Sequence, residues 1–268
     1  MNLAIETIKL LAILLAPFAL FAIVIHLLER LIQTRLAERF GWNSVLCTGW
    51  LGTPIHELSH VLMCRVFHHK IDEIALFEPD KASGRLGFVR HSYKPGDWYQ
   101  ELGNFFIGIA PLMSGSIVLT VLLWLFFPNA IEGAFVASQE AKLDGPQDQL
   151  IAILSSVSTE IFAAKNLTTG RFWLFVYFVL CVGGHMAPSP SDYEGASRGA
   201  YLVGGGLLLF TGGLAAAGTD SRSMVEGMIG ILGPLFAILA ITIVLCAIAS
   251  GFVWIVTAAF PKRFVIRG

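Results

Sequence analysis

The chain contains the run His56-Glu57-Leu58-Ser59-His60. On a helix, residues four apart share one face, so both imidazoles can reach a single ion. Glu57 follows the first histidine and stands close enough to act as a base toward water at that ion. Two nitrogen donors, a carboxylate base and an open coordination position are the chemistry of a zinc hydrolase. Two histidines underfill such a site, which takes three protein ligands and keeps one position open. The third ligand is sought in Gly183-Gly184-His185-Met186-Ala187-Pro188-Ser189-Pro190-Ser191-Asp192-Tyr193-Glu194-Gly195. Asp192, His185 and Glu194 compete for the role. Asp192 is favoured because it follows two prolines, where an extended chain can aim it at a neighbouring helix. His185 is otherwise a group that polarises substrate, and Glu194 a partner for Arg198 four residues on. The rival reading of the motif is two histidines satisfied by hydrogen bonds in an apolar core. That reading is disfavoured, because a His-Glu-His cluster within a membrane is costly unless something uses it.

The elements that must position these residues are apolar. The 268 residues are 55% hydrophobic and 14% charged, and the mean hydropathy is +0.71. Soluble domains carry about a quarter charged residues. Several apolar runs exceed about 18 residues, so the expected class is an all-α, multi-pass integral membrane protein. The net charge of -1 offers no basic surface for nucleic acid. Cys47, Cys64, Cys181 and Cys246 form no CxxC pair and are read as buried free thiols.

Five or six transmembrane helices are expected. Ile8–Leu28 is the first, kinked at Pro17. Glu29–Arg39 extends it as a polar helix at the headgroups. Ser44–Phe67 carries the motif, with Pro54 near its first turn. Gly49 and Gly52 let a neighbouring backbone approach. His68 and His69 close this segment as solvated groups. Ile71–Phe77 and Arg85–Tyr93 read as strands of a β-hairpin (70–94) at the membrane surface beside the metal site. Its free edge could hold an extended peptide, or the hairpin could serve only as a lid or connector.

The next span covers 102–127, with Gly103, Gly108 and Gly115 for close packing and Pro111 loosening the backbone. Asn104 at its entrance is a donor for substrate or a helix cap. The stretch 129–171 reads as a polar linker with one interfacial helix, on the spacing of Leu150, Ile153, Leu154, Val157 and Ile161. Phe172–Met186 leads into the proline break, and the helix resumes over Ala200–Gly218. Val225–Phe260 is the last apolar run. Lys262, Arg263 and Arg267 place the C-terminus in the cytoplasm. Five spans would put Arg30, Arg35 and Arg39 on that side too; six would not. The chain divides into an N-terminal helix (1–43), a core (44–218) and a C-terminal segment (219–268).

His56-Glu57-x-x-His60, a small strand region, a Gly/Pro-containing span and Pro188-Ser189-Pro190-Ser191-Asp192 together resemble the site-2 protease family of intramembrane zinc metalloproteases. The resemblance covers roughly 44–218. It implies Zn²⁺ held by His56, His60 and Asp192, with Glu57 as catalytic base and Asn104 or His185 aiding the oxyanion. It departs at Ser191, where leucine is usual, and at Tyr193, where glycine is usual, which marks a divergent member. No inserted PDZ-like or CBS-like domain is evident. The expected substrate is a membrane protein, delivered by a membrane partner. Two further readings are a catalytically inactive relative acting as a binding or regulatory partner, and a zinc transporter. The scarcity of charge on the other spans disfavours the transporter.

Overall fold

A computed structural model describes residues 3–140, 146–218 and 221–262. The order is α1 (Leu3–Phe40), α2 (Trp42–Val66), β1 (Lys70–Ala75), β2 (Phe88–Ser92), α3 (Trp98–Phe126), α4 (Pro128–Glu140), α5 (Pro146–Ile161), α6 (Ala164–Leu167), α7 (Gly170–Gly183), α8 (Pro190–Ala216) and α9 (Ser221–Ala258). The fold is a helical bundle with one antiparallel hairpin.

Among the described residues, three helical stretches are long and apolar enough to cross a membrane: Leu15–Phe40, Trp98–Phe126 and Ala237–Ala258. The count is lower than the five or six expected. α7 has 14 residues, which at 1.5 Å each reach about 21 Å of a roughly 30 Å hydrocarbon core. The apolar part of α8 is also short, Gly199–Leu214. α2 is long enough, but its buried side carries Thr48, Thr53, Glu57, Ser59 and His60. The residues that make it chemically interesting are the ones that lower its apolarity.

α1 and α9 pack together over a core that includes Ile25, Ile32, Ile241, Leu245 and Val253. Arg39 donates to the Phe260 carbonyl, and Lys262 pairs with Glu38 at 2.9 Å. The two helices therefore run in the same direction. If both cross a membrane, the number of crossings is odd, and six does not fit. The Arg30–Arg39 segment and Lys262 share one end; Arg263 and Arg267 lie outside the described residues.

Several local expectations change. α1 continues unbroken from the apolar run through Arg39, then turns at Gly41, whose φ of 75° suits only a residue without a side chain. α2 begins at Trp42, so Pro54 lies well inside it rather than in its first turn. α8 begins at Pro190, ten residues before the expected restart, so Asp192 sits in a helical turn and not on an extended strand. Proline fixes φ near the helical value and is favoured at the first helical position.

The stretch after α3 is not a single interfacial helix. α4 packs on α5, and α5 on α9, so Ile153, Val157 and Ile161 face protein. His68 is exposed, but His69 is buried. Cys64, Cys181 and Cys246 are buried thiols, whereas Cys47 is exposed.

The hairpin pairs Ile71 with His91 and Ala75 with Phe88, and the register shifts between Ile71 and Glu73. Its strands are shorter than expected because the regular ladder ends at Ala75 and Phe88; beyond them the pairing is irregular, the Glu78 N–H donating to the Leu86 carbonyl at 2.7 Å and the Asp80 N–H to the Arg85 carbonyl at 2.8 Å. A Cβ on Gly87 would lie 2.9 Å from the Thr53 methyl group.

Candidate metal centre

Four elements converge on the motif. α2 supplies His56 and His60, whose rings lie edge to face with centroids 4.9 Å apart. α8 supplies Asp192: Oδ2 is 3.5 Å from His56 Nε2, and Oδ1 is 3.3 Å from His60 Nε2. α3 and the α7–α8 break supply backbone carbonyls that orient the two rings.

The orientation follows from proline. His60 Nδ1 donates to the Ile107 carbonyl at 2.9 Å. Within a helix that carbonyl would accept from the residue four later, which is Pro111 and has no N–H. His56 Nδ1 donates to the His185 carbonyl at 2.8 Å. That carbonyl also lacks a helical partner, because the Ser189 N–H donates instead to Asp192 Oδ2 at 2.7 Å. Carbonyls only accept, so each ring, when neutral, carries its proton on Nδ1 and turns its Nε2 lone pair toward Asp192.

The carboxylate is held as firmly. Ser189 precedes Pro190, and both its N–H and its hydroxyl reach Asp192 Oδ2 at 2.7 Å. This is one half of a capping box: the acid at the third helical position accepts the N–H of Ser189, while the Ser189 hydroxyl donates to that same carboxylate and the Asp192 N–H meets the Ser189 carbonyl at 3.1 Å. The glycines act at the same place. On Gly52 a Cβ would collide with the Cys181 carbonyl and lie 2.9 Å from the His185 side chain. On Gly108 it would lie 2.6 Å from the Asp192 carbonyl oxygen.

The donor set fits Zn²⁺. The ligand atoms of His56, His60 and Asp192 all lie within 4.8 Å of one another. A tetrahedral ion with legs of about 2.0–2.1 Å has edges of about 3.3–3.4 Å. The observed N···O separations of 3.3 and 3.5 Å approach that edge. They exceed the roughly 2.7–2.9 Å of a charge-assisted hydrogen bond. Two lone pairs and a carboxylate that converge at a largely buried point are satisfied by a cation between them.

A cavity of about 600 Å³ opens beside the triad, and Glu57, Glu29, Arg85 and Phe88 are among the residues that line it. Glu57 is 7% exposed. The hairpin that supplies Arg85 and Phe88 is where it was expected, beside the metal site; Glu29 was not expected there. Glu29 belongs to the stretch expected at the headgroups, yet it lines the cavity, and its carboxylate accepts the Ala187 N–H. Gln33, on the same stretch, donates to the Gly184 carbonyl, whose helical partner would have been Pro188. Arg85 and the strand after it form one wall, with the Arg85 guanidinium 4.4 Å from the centroid of the Phe88 ring. A polar pair spaced four apart, Glu29 and Gln33, was the available signal.

The other sequence candidates stand apart from the triad. His185 lines the cavity, but its Nε2 meets Gln33 Nε2 at 2.9 Å and Thr48 Oγ1 at 3.0 Å; its carbonyl is what touches His56. Asn104 is buried in α3 and does not cap it, since Asp97 accepts from Tyr99 and Gln100 there. The Asn104 Nδ2 has no hydrogen-bond partner among the described residues, and Asn104 does not line the cavity. Glu194 is exposed, and the Arg198 side chain lies outside the described residues. Comparison of the chain with family models, curated proteins and solved structures returned no match.

Proposed function

We propose that this protein is a multi-pass membrane zinc metalloprotease that hydrolyses peptide bonds of membrane-embedded or membrane-adjacent substrates. The observation that carries the reading is the meeting of His56, His60 and Asp192, from α2 and α8, beside a cavity lined by Glu57. Zn²⁺ held by those three residues would supply Lewis-acid chemistry, polarising the scissile carbonyl and easing loss of a proton from water. Glu57 accepts that proton and returns it to the leaving amine nitrogen, so water adds across the C–N bond. His185 and Ile107, through their carbonyls, keep both imidazoles in the tautomer that faces the ion.

A substrate helix has its backbone hydrogen bonds already made, so it must unwind before it is cut. The strand residues beside the cavity, Phe88 to Arg90, offer an edge for the extended form. An intact base in the cavity supports catalysis over the inactive regulatory reading, because a merely structural site has no need of one.

The test uses the purified full-length protein in liposomes with a panel of labelled single-span peptides. Wild type should cleave at least one of them. Glu57→Gln should retain zinc and lose about 10²–10⁴-fold in rate. Cleavage at the wild-type rate by Glu57→Gln would remove the base from the mechanism.

A further inference from the structure

A second group of soft donors lies one turn along α2 from the triad. Cys64 follows His60 by four residues, or about 6 Å along the helix axis. The Cys64 thiol and one ring nitrogen each of His69 and His91 lie within 4.8 Å of one another. Cys64 has no exposed surface and forms no disulfide. His69 is 6% exposed, while His91, on β2, is only partly buried.

The end of α2 builds this group. His68 takes φ 58°, a left-handed conformation that few non-glycine residues adopt. With it, the His68 N–H meets the Arg65 carbonyl at 3.3 Å and the His69 N–H meets the Cys64 carbonyl at 2.8 Å. These two bonds close the helix in a Schellman turn and fold His69 back toward Cys64. His69 Nε2 then donates to the Gln100 carbonyl of α3 at 2.8 Å. Its proton is thereby fixed on Nε2, and the Nδ1 lone pair faces His91 Nδ1 at 3.0 Å. His60 is oriented by the same device two turns along α3, with its ring nitrogens exchanged. The ring of Tyr93 stacks on His69 with centroids 5.3 Å apart.

Burial, then the neighbouring His69, holds the His91 imidazole down at about 4, and burial lowers His69 as well. Both rings are neutral near pH 7 and keep their lone pairs.

We propose that Cys64, His69 and His91 form a second Zn²⁺ site, separate from the triad and independent of the protease reading. A thiolate with two imidazoles selects zinc over the hard cations magnesium and calcium. Binding would replace the Cys64 thiol proton, which leaves to solvent. The competing arrangement is an imidazole–imidazole hydrogen bond with no ion.

Cobalt distinguishes the two sites, because only a thiolate ligand gives a sulfur-to-cobalt charge-transfer band in the near ultraviolet. Full-length protein in detergent, stripped of metal and titrated with Co²⁺, should show that band. Cys64→Ser should abolish it, and Asp192→Ala should retain it. By elemental analysis, Cys64→Ser should hold one zinc equivalent per chain fewer than wild type, whatever the triad holds. Should Cys64→Ser misfold, His91→Gln on the surface hairpin should lose the band with far-ultraviolet circular dichroism unchanged. Absence of the band in wild type, or its survival in Cys64→Ser or in a folded His91→Gln, would overturn the second site. Those outcomes leave the cleavage test of Glu57 untouched, and failure of that test leaves this one standing.

Discussion

α2 and α9 are both long helices packed within the bundle, and they treat buried polar atoms in opposite ways. α9 buries Thr242, Ser250 and Thr257, and each hydroxyl donates to a carbonyl one turn back on α9 itself. Among the described residues, its other buried side chains are aliphatic or thiol, from Ala237 to Val253. Polarity at these three residues is met chiefly within α9, the Ser250 hydroxyl also approaching the Leu28 carbonyl of α1 at a longer 3.4 Å, so the helix can serve as scaffold. On α2 the histidines reach off the helix, to the Ile107 carbonyl of α3 and the His185 carbonyl of the α7–α8 break. Those acceptors are free because of Pro111 and the Pro188–Pro190 break. Buried polar residues that depend on neighbouring elements, through gaps left by proline, mark the site. Polar residues satisfied at home do not.

The contrast can be broken in graded steps. His60→Ala removes a ligand and should reduce both triad zinc and peptide cleavage to background, measured by elemental analysis and by the liposome assay. Gly52→Ala and Gly108→Ala should weaken zinc by about 10–100-fold without removing a ligand, since the first crowds the His185 segment that holds His56 and the second crowds the backbone of Asp192. Competition with a calibrated chelator reads that change. Pro111→Ala should weaken zinc less, by under about tenfold. It restores a helical N–H that competes with His60 for the Ile107 carbonyl, so thermal stability should not fall while metal affinity does. On α9, Ile241→Val should cost about 1 kcal/mol of stability and leave zinc affinity unchanged. An α9 change that altered zinc affinity as much as Gly52→Ala would erase the distinction between scaffold and site.

Much of the site was legible because its chemistry is tied to spacing. Two histidines four apart predict one helical face, and an acid beside a proline break predicts a ligand delivered from elsewhere. The manner of delivery was less legible. Ser189-Pro190-Ser191-Asp192 carries the pattern of a helix start, but two prolines two apart suggested extended chain, and the capping signal lost to the breaking signal. Pro111 was read as loosening its own backbone. Its consequence falls four residues earlier, at Ile107, on a partner visible only in three dimensions.

The same limit explains His69 and Glu29. Each lies in a locally polar stretch that argues for solvent. His69 is folded inward by the turn at His68, and Glu29 by the packing of α1 beside the α7–α8 break. α4 went unforeseen because its apolar residues make sense only once α5 is there to cover them.

The central claim is that α2 and α8 jointly hold one zinc ion through His56, His60 and Asp192. X-ray absorption at the zinc edge, on Cys64→Ser protein with and without Asp192→Ala, tests it most directly. The single variant should show one zinc equivalent with two imidazoles and only nitrogen or oxygen ligands, at about 2.0–2.2 Å. The double variant should lose that ion. An unchanged zinc environment in the double variant would mean that Asp192 is no ligand, and the account of the site would fail.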